Sequence, residues 1–147
     1  MQWQCSTFSD LSPKSLYEIL KARAEVFIVE QHCAYLYLDG IDEYAHHLVL
    51  QGESRDLVAY ARLIPPMVKF EEPSIGRVLT AQNARGKGFG RHLMQESILR
   101  TNALYPAFPI RISAQAYLEK FYSDFGFVRV SDNYDEDGIA HLEMLRR

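Results

Sequence analysis

The sequence predicts a mixed α/β domain in which helices pack against a central sheet, and three observations carry that prediction. Apolar residues return at helical spacing after Ser12-Pro13 and again after Gly90. Runs of β-branched and aromatic residues, each of strand length, alternate with those helical stretches. Between one such run and the second helical stretch stands the glycine-rich turn Arg85-Gly86-Lys87-Gly88-Phe89-Gly90. The element order is β-α-α-β-β-β-α-β-α-β-β. With 147 residues and no repeat, linker or low-complexity tail, residues 1–147 are expected to form one domain.

Residues 3–8 form a short first strand. Ser12 then caps a helix whose first position is Pro13. The hydroxyl accepts a free N–H, and proline lacks the donor that would go unmet there. Leu16, Ile19, Leu20, Ala24 and Phe27 mark its apolar face through about residue 28. Residues 31–44 are irregular or carry a short second helix, and Asp39-Gly40 signals a turn. Asp39, Asp42 and Glu43 lie among aromatics there, an arrangement that suits a cationic substrate and a solvated face equally.

Residues 46–51 and 57–64 pair antiparallel around a turn at 52–56. Val58, Tyr60 and Arg62 point one way, and Ala59, Ala61 and Leu63 the other. Pro65-Pro66 ends the second strand, 67–74 is a loop, and 75–80 is the strand that feeds the glycine turn. The next helix carries Phe89, Leu93, Met94, Ser97, Ile98 and Thr101 on one face and ends at 102–105, before Pro106 and Pro109. Residues 110–114 form a strand, 118–125 a helix stopped by Gly126, and 127–131 a further strand. Residues 132–138 make an acidic turn with Asp137-Gly138 at its tip, and 139–145 return as the last strand.

Composition removes several function classes. The net charge is -3 and the basic residues do not gather in one run, so no nucleic-acid partner is expected. No span approaches the roughly 18 apolar residues that cross a membrane. The first five residues have neither a basic segment nor an apolar signal core. Cys5 and Cys33 are the only cysteines, too few for a disulfide framework, and a reducing, cytoplasmic compartment is the expectation. Cys33, Asp39, His46 and His47 do not reproduce a zinc spacing, so no metal is expected.

The glycine-rich turn is the most informative stretch. Strand, glycine turn and helix together aim free backbone N–H groups at an anion, and Arg85 and Lys87 add positive charge. A nucleotide P-loop needs Lys followed by Ser or Thr after its last glycine, whereas Arg91 and His92 follow Gly90. A dinucleotide fingerprint needs two residues between its later glycines, and only one stands there. A phosphate compound of another kind is indicated.

Arg85, Gly88 and Gly90 match a known acyl-CoA pyrophosphate motif: Gln or Arg, two residues, Gly, one residue, then Gly or Ala. Phe121-Tyr122-Ser123-Asp124-Phe125-Gly126-Phe127 matches a second signature, aromatic-Tyr, three residues, Gly-Phe. Together with the element order, these motifs make the chain resemble the GCN5-related N-acetyltransferase (GNAT) superfamily. Val26-Phe27-Ile28-Val29-Glu30-Gln31-His32-Cys33-Ala34-Tyr35, Leu57-Val58-Ala59-Tyr60-Ala61-Arg62-Leu63 and Gly138-Ile139-Ala140-His141 extend the likeness over nearly the whole chain, toward the ElaA-like branch. Tyr37 and Ile41 stand where that branch is expected to carry carboxylates, which would alter the edge of the acceptor pocket.

The resemblance implies the GNAT acyl-CoA N-acyltransferase fold, with its fourth and fifth strands splayed around the pantetheine arm of acetyl-CoA. It implies an enzyme, an N-acetyltransferase moving the acetyl group to a primary amine by direct attack in a ternary complex. Backbone groups of Val78, Leu79 and Thr80 would pair with the pantetheine. Arg85, Gly86, Lys87, Gly88, Phe89, Gly90 and Arg91 would hold the pyrophosphate. The amide of Leu79, or of its neighbour, would polarise the thioester carbonyl, and Tyr122 would protonate or hydrogen-bond the departing sulfur. Glu43, Asp42, His46 and His141 are the candidate bases, and Glu30 and Arg77 are expected to pair beneath the cleft. The acceptor would be a small-molecule amine or a protein amino group, and a homodimer is compatible with the resemblance. Two other readings stay open: an acyl-CoA-binding module without efficient transfer, and an enzyme for a longer acyl-CoA.

Overall fold

The computed structural model describes residues 1–147. β1 (Gln2–Thr7), β2 (His46–Gln51), β3 (Leu57–Ile64) and β4 (Ser74–Thr80) form one antiparallel sheet in that order. β5 (Ile110–Gln115), β6 (Val128–Arg129), β7 (Tyr134–Glu136) and β8 (Ile139–Arg146) form a second, in which β8 pairs with the other three. The halves meet at β4 and β5. These strands start side by side, where the Arg111 N–H donates to the Pro73 carbonyl at 3.0 Å, and share no ladder beyond. The central sheet therefore opens into a V between two strands that run the same way.

Three helices cover it: α1 (Pro13–Ala24), α2 (Phe89–Leu104) and α3 (Glu119–Ser123). The start of α1 follows from its sequence, with Pro13 in the first turn and the Ser12 hydroxyl accepting the Ser15 N–H at 3.0 Å. α2 turns Leu93, Met94 and Ile98 into the main core. Ser97 and Thr101 share that buried face because their hydroxyls donate back to the carbonyls of Leu93 and Ser97, at 2.6 and 2.7 Å. Burial without those bonds would cost about 1–3 kcal/mol per hydroxyl. The main core also takes in Ala59, Ala61, Leu63, Ile110, Ile112, Phe127 and Leu142. On the opposite face α1 places Ile19 against Val49, Tyr60 and Leu79.

Several boundaries differ from the sequence expectation, each for a local reason. The first helix does not run unbroken to residue 28; it widens into a π-turn over Glu25–Glu30, where the stiff residues Val26, Ile28 and Val29 crowd an α-helical turn. Residues 31–44 carry no second helix, only a 3₁₀ turn at Ile41–Glu43. The helix expected at 118–125 opens as a 3₁₀ turn, Ala116–Leu118, before the five residues of α3. The strand expected at 127–131 is reduced to Val128–Arg129.

The segment expected as an acidic turn contains β7, and only Asp137-Gly138 turns, with φ values of 53° and 82°. Positive φ at both central residues matches the twist of a two-residue hairpin. Val58 also departs from the expected alternation and joins Ala59, Ala61 and Leu63 in the main core. A register shift opposite Leu50 and Gln51 sets Val58 in a bulge and moves its side chain to the other face.

Candidate active site

The V between β4 and β5 is a cleft of about 490 Å³, lined from both strands, from the π-turn and residues 31–39, and from the β7–β8 hairpin. β4 pairs with β3 alone, so its other edge faces the cleft with backbone groups that no strand satisfies. A bulge shapes that edge. Tyr60 stands opposite Leu79 and Arg62 opposite Gly76, which leaves Arg77 and Val78 together against Ala61. Arg77 takes a φ of 50°, a conformation that costs a non-glycine residue roughly 1–2 kcal/mol and re-aims the strand at that point. Val78, Leu79 and Thr80 line the cleft just beyond it. The Leu79 side chain packs against Ile19 and its backbone pairs with Tyr60 on β3, so the free edge here is presented by its neighbour Thr80.

At the end of the cleft marked by Arg85, the chain enters the glycine turn and then α2. Gly86 and Gly88 have φ values of 78° and 80°, and Gly88 is the N-cap of the helix. No side chain caps this end, which leaves the first-turn N–H groups of Phe89, Gly90 and Arg91 for a ligand. A Cβ added at Gly86, Gly88 or Gly90 would meet nothing within 4 Å, so the space over the turn is open. Lys87 is exposed. The Arg91 guanidinium is engaged elsewhere, with Asp124 at 3.0 Å and above the rings of Phe121 and Phe125, so Arg91 offers the turn its backbone. Arg85 reaches neither the cleft floor nor solvent alone; it forms a bidentate pair with Glu30 of the π-turn. The pair expected between Glu30 and Arg77 is therefore absent, because β4 places Arg77 beside Tyr37 and Asp39 instead.

Tyr122 comes from α3 and is one wall of the same cleft, 8% exposed and packed edge-on against Phe121 and Phe127. Burial pushes its hydroxyl up to about 12, so it stays protonated and available as a donor. Val78, Leu79, Thr80, Arg85 and Tyr122 thus share one cleft.

The four candidate bases separate. Glu43 is exposed and lies outside the cleft. His46 heads β2, also outside the cleft, and its Nδ1 is buried with no partner. Asp42 is consumed by two arginines, Arg23 at 2.8 Å and Arg62 at 3.0 Å. Burial pushes the Asp42 carboxyl up, but the hydrogen bonds and charges of Arg23 and Arg62 outweigh it and hold it below the usual carboxylate range. Asp39 behaves alike, with burial opposed by a two-pronged contact from Arg62 at 2.9 and 3.0 Å. The two aspartates are thus internal counter-ions that fasten residues 39–42 to β3.

His141 alone of the four lines the cleft. Its Nδ1 lies 2.8 Å from the Ile139 carbonyl and its Nε2 3.1 Å from a Glu136 carboxylate oxygen, so each ring nitrogen faces an acceptor. The ring stacks on Tyr134, whose hydroxyl meets that of Ser113 on β5.

Tyr35, Arg62 and Lys69 are cleft residues with no role expected from the sequence; Arg77, expected beneath the cleft, lines it, and so do Glu136 and Asp137 of the segment expected as an acidic turn. Only Asp137-Gly138 had a local signal, as a hairpin tip, and it does not reveal which way the hairpin folds. Cys33 lines the cleft and donates from Sγ to the Asp137 carbonyl at 3.2 Å. Tyr37 and Ile41 lie outside the cleft; Tyr37 covers the Arg23 guanidinium at 5.4 Å and donates to the Leu20 carbonyl.

Comparison with known proteins agrees with this geometry. Residues 7–147 match the family model described as Acetyltransferase (GNAT) domain. A UPF0039 protein of Synechocystis is 44% identical over 147 residues, covering 100% of this chain and 96% of its own. Protein ElaA of Escherichia coli is 39% identical, covering 99% of this chain and 96% of its own. Among solved structures, an acyl-CoA N-acyltransferase from Pseudomonas aeruginosa superposes with a TM-score of 0.94 at 39% identity, over 100% of both chains. The Escherichia coli ElaA structure gives a TM-score of 0.92 at 37% identity, over 99% of both.

Proposed function

The chain belongs to the GNAT acetyltransferase family, in its ElaA-like branch, and from that premise we propose that it transfers the acetyl group of acetyl-CoA to a primary amine. The observation that carries the reading is that the β4–β5 cleft, with Tyr122 on its wall, extends to Arg85, the residue that opens the glycine turn before the uncapped start of α2. An unpaired strand edge suits the amides of a pantetheine arm, and an open glycine turn at a helix N-terminus suits a pyrophosphate. Val78, Leu79 and Thr80 would hold the first, and backbone N–H groups from Gly86 to Arg91 the second.

When bound, acetyl-CoA supplies a thioester carbonyl as the acyl donor. The Leu79 N–H is spent in the ladder with Tyr60, so the donor that would polarise that carbonyl is the amide of its neighbour Thr80, which faces the free edge of β4. Tyr122 donates its hydroxyl hydrogen toward the leaving sulfur. With its hydroxyl at about 12, outright transfer to a thiolate of about 8.5 is uphill by roughly 5 kcal/mol, so a hydrogen bond that lowers the charge on sulfur is the larger contribution. His141 Nε2 takes the proton from the attacking amine, and the Glu136 carboxylate stabilises the imidazolium that results.

The test is amine-dependent release of CoA thiol from acetyl-CoA, with the acetylated amine identified by mass. Thiol release that rises with amine concentration, with one acetamide formed per thiol, supports transfer. Tight acetyl-CoA binding with no product across primary amines favours the binding module instead.

A further inference from the structure

We infer that the acceptor amine carries a carboxylate, which the cleft receives against Arg62, Arg77 and Lys69 while presenting the amine to His141. This rests on the acetyl-transfer reading and names its substrate class. The observation is a charge imbalance in a water-poor place. Arg23, Arg62 and Arg77 converge on only two carboxylates, Asp39 and Asp42, leaving one positive charge in surplus. Arg23 and Arg62 are 0% and 2% exposed, and Arg62 and Arg77 both line the cleft.

The hydrogen-bond count shows the same shortage. Nε of Arg62 and Nε of Arg77 are buried without a partner, as are Nε and Nη2 of Arg23, while the two Nη atoms of Arg62 go to Asp39 and Asp42 and Nη2 of Arg77 to the Tyr37 carbonyl. Unpaired buried donors on cationic groups cost more than neutral ones, so the site is short of acceptor oxygens. Lys69 lines the same wall, and the charges acting on it are those of Glu136, Arg62, Arg77 and Asp39. Gly76 lies between these residues on β4, and a Cβ there would meet nothing within 4 Å, so there is room at the strand for a small group. Glu136 and His141 of the β7–β8 hairpin line the same cleft and suit an ammonium and its proton. The two sets of residues together match a molecule that carries both an acid and an amine.

The experiment compares matched probes. Glycine, β-alanine and 4-aminobutanoate are assayed by thiol release against their amides and against ethylenediamine and putrescine, with the native protein and Lys69→Gln. Lys69 is exposed, so its replacement leaves the fold intact. The acids are expected to exceed their amides in kcat/KM by about tenfold or more, the worth of one charge-assisted hydrogen bond. Lys69→Gln is expected to lower the acids' values severalfold more than the amides' values. Amides or diamines that serve as well as the acids, acids that are inert beside a normal acetyl-CoA titration, or a preference untouched by Lys69→Gln would each overturn the inference. Absence of acetyl-CoA binding would instead remove the acetyl-transfer reading, and this inference with it.

Discussion

Arg85 and Glu30 face each other across the entrance to the glycine turn, the guanidinium gripping both carboxylate oxygens, with Nη2 to Oε2 at 2.8 Å. The hydrogen bond from Arg85 holds the Glu30 carboxyl below its usual range. Both side chains are about 40% exposed, so the pair is worth at most about 1 kcal/mol. In the proposed complex an incoming phosphate would compete with Glu30 for the same guanidinium. Glu30→Gln is therefore expected to tighten acetyl-CoA binding up to about fivefold, and Arg85→Ala to weaken it, both read by calorimetry. Weaker binding in Glu30→Gln would mean that Glu30 positions Arg85 rather than competing for it.

In the proposed transfer Tyr122 and His141 would act on the reaction more than on binding. Tyr122→Phe and His141→Gln are each expected to lower kcat by about 10²-fold or more while acetyl-CoA affinity stays within a factor of about two. Turnover unchanged in either variant removes that residue's role.

The glycines of the turn are not equivalent. Gly88 has a φ of 80°, so Gly88→Ala is strained by roughly 1–2 kcal/mol and should both destabilise the protein and weaken acetyl-CoA binding. Gly90 shows no positive φ, and an added methyl meets nothing. Gly90→Ala is expected to leave stability equal or higher by up to about 1 kcal/mol and to keep binding. Urea unfolding and calorimetry on the two variants check the contrast, and equal behaviour of the two would contradict it.

Asp42 is the pin of the buried cluster. Asp42→Asn leaves two guanidinium groups short of a counter-ion and is expected to cost roughly 3–5 kcal/mol in urea unfolding at neutral pH. The Asp42 pKa is lowered in the folded protein, so its contribution is full above the unfolded value of about 3.9 and is lost as pH falls through the lower folded value. The native protein should lose stability below about pH 4, and part of that acid loss should vanish in the variant. A cost below about 1 kcal/mol would show that the cluster is not structural.

The parts of this fold that could be read from the sequence are those with local signals. The capped start of α1, the β2–β3 hairpin and the glycine turn are each specified by neighbouring residues. β7 was unreadable because Tyr134, Asp135 and Glu136 are exposed and acidic, as in a turn; only pairing with β8 makes them a strand. Asp42 and Glu43 are adjacent in sequence, yet one is clasped by Arg23 and Arg62 and the other is free in solvent. That difference is set by partners about 20 residues away in the chain, which no spacing rule reaches. The bulges that turn Val58 inward and set Arg77 at a positive φ are likewise products of pairing.

The central claim is that the β4–β5 cleft and the turn before α2 form one acetyl-CoA site. Calorimetric titration of the purified protein with acetyl-CoA, beside free adenosine, tests it most directly. Saturable one-site binding of acetyl-CoA with none by adenosine is the predicted result. No heat of binding with acetyl-CoA, or adenosine binding as tightly, would contradict it.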